Sequence, residues 1–390
     1  MYRIGQEEID AVARVIDSRL LFKINNGLQE TIHAENELCT LLGAKHSLLM
    51  TSGHAALVSA LVAMGIGPGD QVIVPAYTYI ATAMAVVAAG AIPVLCEVDE
   101  TLTMDPDDME RCITPATRAV IPVHIQGFPC RMDRITEIAR RHGLLVLEDA
   151  CQADGGSFRG QRLGTIGDAG ALSFNFYKVI TCGEGGALLT QDKKILERAL
   201  IYHDSSAVAF FGNQLDGNDT PSFCGNEYRT NELPAAILRV QLTRLDGILQ
   251  DLRKNRATLL SMLGDAVTPL PSHDPEGDCA TTLAITLESA EAAAAVARTA
   301  GGVSPINTNK HVYVNWTPIL ERRGALHPAM DPFRMEANRD IIPAYTKDMC
   351  PRTLDLLAKT VYFSLTPDMT EEELSALAAR IKAAVLAANA

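Results

Sequence analysis

No apolar run in this chain reaches the ~18 residues that a membrane-spanning helix needs. The most apolar stretch, Ile80 to Val98, is broken by Thr82, Gly90 and Pro93 and reads as a helix followed by a strand. The opening MYRIGQEEIDAVARVI has no cationic segment leading into an apolar core, so no secretory leader is expected. Nine cysteines lie singly, without a C-x-x-C pair. That argues against zinc and against a disulfide framework, and for reduced thiols in a cytoplasmic protein. Positive charge is in deficit: 34 Lys+Arg against 47 Asp+Glu give a net charge of -13. With no run of like charge, nothing supplies the basic face that nucleic acid or an anionic membrane would require.

Familiar catalytic signatures are missing too. No G-x-G-x-x-G opens a helix, no G-x-x-x-x-G-K-[ST] occurs, and no G-x-S-x-G elbow anchors a hydrolase triad. What remains is a chain of 390 residues, 47% hydrophobic, long enough for two domains or one domain with a large appendage.

From about residue 47 to 190, short apolar runs alternate with helical segments. The runs are Leu48 to Thr51, Gln71 to Pro75, Ile92 to Val98, Ala119 to Val123, Leu144 to Leu147, Ala171 to Phe174 and Ala187 to Thr190. Helix-like stretches such as Ala55 to Met64, Ile80 to Ala89 and Met132 to His142 separate the first five. Continuous apolar strands joined by helices predict an α/β fold with a mainly parallel seven-stranded sheet buried on both faces. An amphipathic N-terminal helix carrying Ile9, Val12, Val15 and Ile16 precedes it, and a helix from Asn231 to Leu249 follows a polar loop over 203–227. Beyond about residue 255 the texture becomes α+β, with strands at Thr281 to Leu287 and Val361 to Leu365. Thr370 and Glu373 form a capping box for the last helix. The expected division is a large domain over 1–250 and a smaller one over 251–390.

The stretch SFNFYKVITCGEGGALLT, residues 173–190, carries the chemistry. It places Lys178 between an apolar run and the glycines Gly183, Gly185 and Gly186. Upstream, the run Leu144 to Leu147 ends in Glu148-Asp149-Ala150-Cys151-Gln152. A carboxylate at the end of one buried strand and a lysine just after another suit pyridoxal phosphate, which needs an amine for its aldehyde and an acid for its ring nitrogen. A single lysine is ordinarily a solvated surface group; the surrounding pattern is what singles Lys178 out. The phosphate needs amides and hydroxyls at a helix N-terminus, which Thr51-Ser52-Gly53-His54 supplies, with Ser173 as a second contact. An ordinary strand-to-helix turn would read the same way. Tyr77 and Tyr79 offer a lid for the ring, though either alone reads equally as core or rim.

In order, TSGHAAL, VIVPAYTYIATA, EDACQADGG, GTIGDAGALSF and YKVITCGEGG resemble the DegT/DnrJ/EryC1/StrS family of sugar aminotransferases, enzymes of the fold-type I pyridoxal phosphate class. The resemblance runs in register from about residue 4 to 245 and more weakly to the end. It implies Lys178 as the Schiff-base lysine, Asp149 as the pyridinium partner, and Gln152 near the phenolic oxygen. It also implies Ser173, Gly53 and His54 as phosphate contacts and Tyr79 as the stacking aromatic. Members with histidine in place of the lysine dehydrate instead; Lys178 places this chain with the aminotransferases.

Two positions depart from the family pattern. His54 stands where a threonine is usual, and in CGNEYRTNELPAAIL the position expected to be Asn holds Glu227, so that either Asn226 makes the contact with a neighbouring subunit's cofactor or that contact is absent. The implied activity is ping-pong transfer from glutamate or glutamine to a keto-sugar or keto-cyclitol, in a homodimer with shared sites. A lyase of the same fold and a non-catalytic cofactor-binding regulator are the alternatives.

Overall fold

A computed structural model describes residues 2–205 and 220–388. The seven apolar runs become one sheet. In chain order the strands are β1 (His46–Met50), β2 (Gln71–Pro75), β3 (Ile92–Cys96), β4 (Thr117–Val120) and β5 (Leu145–Asp149), then the small hairpin β6 (Ser157–Phe158) and β7 (Gln161–Arg162), then β8 (Ala169–Ser173) and β9 (Gly186–Thr190). The sheet order is β1-β9-β8-β5-β4-β2-β3. Pairs within β8-β5-β4-β2-β3 are parallel, and β9 is antiparallel to both its neighbours, so every strand but β9 points the same way. Strands β2, β3, β8 and β9 are buried at every residue, as expected where helices cover both faces.

Glycine sets how closely β9 approaches the first strand-to-helix turn. A Cβ on Gly186 would stand 2.3 Å from the carbonyl carbon of Ser52, and one on Gly53 would stand 2.7 Å from the Cys151 sulfur. Neither position tolerates a side chain. Gly186 therefore seats the end of the Lys178 loop against the start of helix Gly53–Ala63.

The helix Met132–His142 has the expected bounds, and Gly53–Ala63 and Ala81–Ala88 match the predicted segments within two residues. Besides the four-residue helix Thr317–Leu320, three helices among the described residues were not read from sequence. Pro106–Arg111 has little apolar content and is fixed by Asp105, which accepts from the amides of Asp107 and Asp108. Lys193–His203 is capped by Asp192, and Pro351–Ala358 lies at the end of a span that reads as loop. The helix expected to end at Leu249 runs from Glu232 to Leu263. Its buried residues, Ala235, Ala236, Leu238, Gln241, Leu242 and Leu245 among them, form a broad stripe because it packs on the helices Gln6–Ser18, Glu30–Leu42 and Glu371–Ala388 in turn. One periodic face cannot serve three partners, so the buried positions do not follow a single helical spacing.

The N-terminal helix also departs from its predicted face. Ala11 and Val15 are buried against the long helix, while Ile9 is 61% and Ile16 57% exposed. In the C-terminal part, β10 (Thr268–Pro269), β11 (Thr282–Thr286) and β12 (Thr360–Ser364) form an antiparallel sheet backed by helices Ala290–Ala300 and Glu371–Ala388. The capping box forms, with Glu373 accepting from Thr370 N–H at 2.8 Å and Thr370 Oγ1 from Glu373 N–H at 3.2 Å. No helix among the described residues is long and apolar enough to cross a membrane. The middle of the polar segment 203–227 lies outside the described residues. Its ends pair, with Asn226 N–H donating to Tyr202 O at 2.7 Å and Tyr228 N–H to His203 O at 2.8 Å.

Candidate active site

Strand ends β1, β2, β5 and β8 converge on a cavity of about 800 Å³, and Lys178, Asp149, Gly53, His54, Tyr79, Gln152 and Ser173 all line it. Asn226 does not. Its side-chain amide donates to Tyr202 Oη at 2.7 Å on the exposed surface. Beside it Arg229 is ion-paired with Asp204 and with Glu227, and its guanidinium lies 4.5 Å over the Phe22 ring.

Asp149 ends β5 and is 5% exposed. Its Oδ2 accepts from Thr82 Oγ1 at 2.7 Å, and its Oδ1 accepts from Cys151 N–H at 3.2 Å. Thr78 Oγ1 lies 2.8 Å from Thr82 Oγ1. With the Thr82 proton committed to the carboxylate, Thr78 is the donor, and the two hydroxyls form a relay pointing at Asp149.

The strand end is itself anchored by Glu148, which is fully buried. Glu148 accepts from the amides of Gly164, Ile166 and Gly167 at 2.9, 2.6 and 2.7 Å, and its Oε2 lies 3.1 Å from His124 Nε2. Cys130 N–H donates to His124 Nδ1, which makes Nε2 the nitrogen that donates to Glu148. Of the adjacent Glu-Asp pair, one carboxylate thus braces the scaffold and the other faces the cavity, as alternation along a strand dictates.

Lys178 is half-buried in the loop between β8 and β9. That loop is tied across its base by Phe174 N–H to Gly185 O at 2.9 Å and Cys182 N–H to Phe174 O at 3.0 Å. Ser52 caps the helix Gly53–Ala63 by accepting from Ala55 N–H. The amides of Gly53 and His54 lie in the first helical turn, where no carbonyl of the helix can bond them. His54 Nδ1 is 3.2 Å from Ala81 O, so this nitrogen carries the proton and donates it. Burial lowers the ring's pKa below its ordinary value, which favours the neutral form. The imidazole therefore has no N–H to spare for an anion at this helix N-terminus, whereas the backbone amides of the first turn do.

The two tyrosines separate: Tyr77 is buried in the core, whereas Tyr79 is 40% exposed on the cavity wall. Gln152 Oε1 accepts from Gln126 N–H at 3.0 Å, which turns its amide nitrogen free. Gln126 adopts a left-handed φ of 54°, and its carbonyl accepts from Thr281 Oγ1 at 2.7 Å, bringing the C-terminal sheet to the site. Cys151 also lines the cavity, but burial, with Asp149 nearby, pushes its thiol well above the ordinary pKa, so it is not an activated nucleophile. Sequence reasoning missed Thr82, Gln126, Thr281, Glu184, Lys310 and His311. The last two sit in an aperiodic span with no local signature.

An amine, a buried carboxylate braced by hydroxyl and amide donors, a helix N-terminus with a serine beside it, and a half-exposed tyrosine fit pyridoxal phosphate. Gly53 leaves the room: a Cβ there would meet Ser173 at 2.9 Å, closing the space between the helix N-terminus and the end of β8. The model of the DegT/DnrJ/EryC1/StrS aminotransferase family matches residues 2–321. The chain belongs to that family. It is 40% identical over 247 residues to GDP-perosamine synthase of Caulobacter vibrioides, covering 63% of this chain and 64% of that protein. It is 41% identical over 239 residues to dTDP-3-amino-3,4,6-trideoxy-alpha-D-glucose transaminase of Streptomyces venezuelae, covering 60% of each. The chain thus spans under two thirds of these relatives' length.

Among solved structures it resembles 3-amino-5-hydroxybenzoic acid synthase, with TM-score 0.79, 26% identity and coverage of 99% of this chain and 98% of that one. It also resembles an aminotransferase from Psychrobacter cryohalolentis, with TM-score 0.82, 25% identity and coverage of 100% and 99%. The fold-type I aminotransferase architecture expected from the sequence is the one observed.

Proposed function

We propose that this chain is a pyridoxal phosphate-dependent aminotransferase that moves an amino group from glutamate or glutamine to a keto-sugar or keto-cyclitol in a ping-pong cycle. The observation that carries this reading is the meeting of Lys178 with the braced carboxylate of Asp149 in one cavity. Bound there, the cofactor supplies a carbonyl to carry the amino group and a protonated ring to draw electrons from the reacting carbon.

The protein's share of the work is positional. Asp149, held by Thr82 and the Cys151 amide, keeps the ring nitrogen protonated through a charge-assisted contact. The amides of Gly53 and His54 and the Ser173 hydroxyl bind the phosphate at a helix N-terminus. Gln152 turns its amide nitrogen to the phenolic oxygen, and Tyr79 covers one face of the ring and excludes water. With the cofactor bound, Lys178 Nζ would be the base for the 1,3-proton shift, taking the proton from the donor's α-carbon and delivering it to the carbon on the other side of the nitrogen, a general-base contribution of roughly 10²–10⁴ in rate.

The working unit in this reading is a C₂ homodimer in which the Gly225 to Arg229 segment, with Asn226, serves the neighbouring copy's cofactor. In support, Ile9, Ile16, Leu21 and Phe22 are 42–61% exposed, Phe22 with the Arg229 guanidinium over its ring, and Phe176 and Tyr177, next to Lys178 in the chain, are 63% and 75% exposed. Apolar surface of this kind marks association. Incubation with glutamate and a panel of keto-sugars and keto-cyclitols, read by product mass, tests the activity. Aminated product together with 2-oxoglutarate supports it, and release of ammonia without amination would favour a lyase.

A further inference from the structure

Gln126 holds a backbone conformation that residues with a Cβ seldom adopt, at φ 54° and ψ 17°, inside the short turn Ile125–Gly127. Such a conformation persists only where the surrounding contacts impose it. On one side the turn follows directly from His124, whose ring is fixed by Glu148 and by the Cys130 amide. On the other side the C-terminal part of the chain grips it. Thr281 Oγ1 donates to the Gln126 carbonyl at 2.7 Å and Thr282 Oγ1 to Gln126 Oε1 at 3.1 Å. Cys279 N–H donates to the Gly127 carbonyl at 3.1 Å. Thr281 is itself held in place, because its carbonyl accepts from Leu365 N–H at 2.9 Å, just beyond β12.

The turn delivers one amide to the site. Gln126 N–H donates to Gln152 Oε1 at 3.0 Å. A glutamine side chain has an acceptor end and a donor end, so fixing its oxygen decides which end is left for the cavity. Gln126, Gln152 and Thr281 all line that cavity. The left-handed turn sets the direction of the Gln126 N–H relative to its carbonyl, and one residue thereby meets Gln152 with the first and Thr281 with the second.

We propose that Gln126 is a positioning residue: gripped by Thr281, its backbone amide holds Gln152 with the donor end toward the cofactor's phenolic oxygen. This rests on the pyridoxal phosphate reading of the site and deepens it, because it ties the cofactor's protonation to the docking of the C-terminal sheet.

A hydrogen bond donated to the phenolic oxygen stabilises its negative charge, which stands alone once the neighbouring linkage to Lys178 has lost its proton. A weaker donor therefore raises the pH midpoint at which absorbance above 400 nm is lost. The test is a spectral pH titration of the full chain loaded with pyridoxal phosphate. Gln152→Ala should raise the midpoint by about one pH unit, the size expected for one hydrogen bond to a charged group. Thr281→Val keeps the shape, removes the hydroxyl, and should raise it by roughly half as much. Thr281→Ser should restore the wild-type value. Gln126→Val, β-branched and averse to a left-handed backbone, should raise the midpoint more than Gln126→Gly, which suits that backbone and keeps the amide. The titratable groups that line the cavity, from His54 and Asp149 to Glu184, Lys310 and His311, are common to every variant. A difference between variants therefore reports the donor.

An unchanged midpoint in either Gln152→Ala or Thr281→Val would overturn the proposal. A second readout needs no cofactor. Hydrogen exchange at the Gln126 amide should be slow in the wild-type chain and faster in both Gln152→Ala and Thr281→Val, and equal exchange in all three would overturn the proposal as well. If the loaded wild type shows no absorbance above 400 nm, the pyridoxal phosphate reading is what fails, and hydrogen exchange still decides whether Thr281 and Gln126 hold Gln152.

Discussion

Thr82 Oγ1 donates to Asp149 Oδ2 at 2.7 Å, so a threonine on the first turn of one helix holds the carboxylate at the end of a strand 67 residues later in the chain. With Thr78 donating in turn, the carboxylate has a fixed orientation before any cofactor enters. Thr82→Val keeps the shape and removes the hydroxyl. A hydrogen bond to a charged group is worth about 1.5–3 kcal/mol, so cofactor affinity, kcat/KM or both should fall roughly tenfold or more. Wild-type affinity and kinetics in Thr82→Val would mean that the hydroxyl relay does not position Asp149.

That pairing also marks how far the sequence could be read. The seven apolar runs were legible as strands because burial on both faces leaves an unbroken apolar signature. Lys178, Asp149 and Ser173 were legible because each follows such a run. Thr82 was not, since a threonine inside an apolar helix has no local mark of what it faces. The Gly186 contact with Ser52 and the arrival of Lys310 over Tyr79 depend on distant segments meeting, which spacing alone does not encode. The exposed Ile9 and Ile16 were read as a core-facing stripe because periodicity reports an apolar face and not what covers it.

Asp154 gives a prediction in pH. It is 1% exposed, and neither carboxyl oxygen has a hydrogen-bond partner that meets full geometry. Burial holds its pKa well above the ordinary value, against the opposing pull of the Lys178 charge and the Ser173 amide. In the folded chain it keeps its proton at pH values where the unfolded chain has released it. Its contribution therefore lowers stability progressively as pH rises above the ordinary carboxylate value of about 3.9. Asp154→Asn should remove this slope and gain stability over wild type from pH 4 toward neutrality, measured by denaturant midpoints. Parallel curves for the two proteins would show that Asp154 is ionised in the fold.

Glu148 is the structural member of the Glu-Asp pair. Its three amide partners and His124 lose their acceptor in Glu148→Ala, which should cost about 3 kcal/mol or more of stability. Chemical denaturation measures this directly. A loss under 1 kcal/mol would mean that water replaces the carboxylate, and the anchoring role would fall.

The shared-site proposal predicts complementation. Chains carrying Lys178→Ala, mixed with chains carrying both Asn226→Ala and Glu227→Ala, should regain part of the activity, because one site per mixed dimer combines an intact lysine with an intact partner segment. No recovery, despite demonstrated subunit exchange and an inactive double variant, would mean that each chain completes its own site.

The central claim is that Lys178 is the residue that joins the cofactor. Borohydride reduction of the pyridoxal phosphate-loaded chain, followed by peptide mass mapping, tests it most directly. The account predicts one reduced cofactor adduct on Lys178, absent in Lys178→Ala, with loss of the wild-type absorbance above 400 nm in that variant. An adduct on another lysine, or an unchanged yield of adduct in Lys178→Ala, would contradict it.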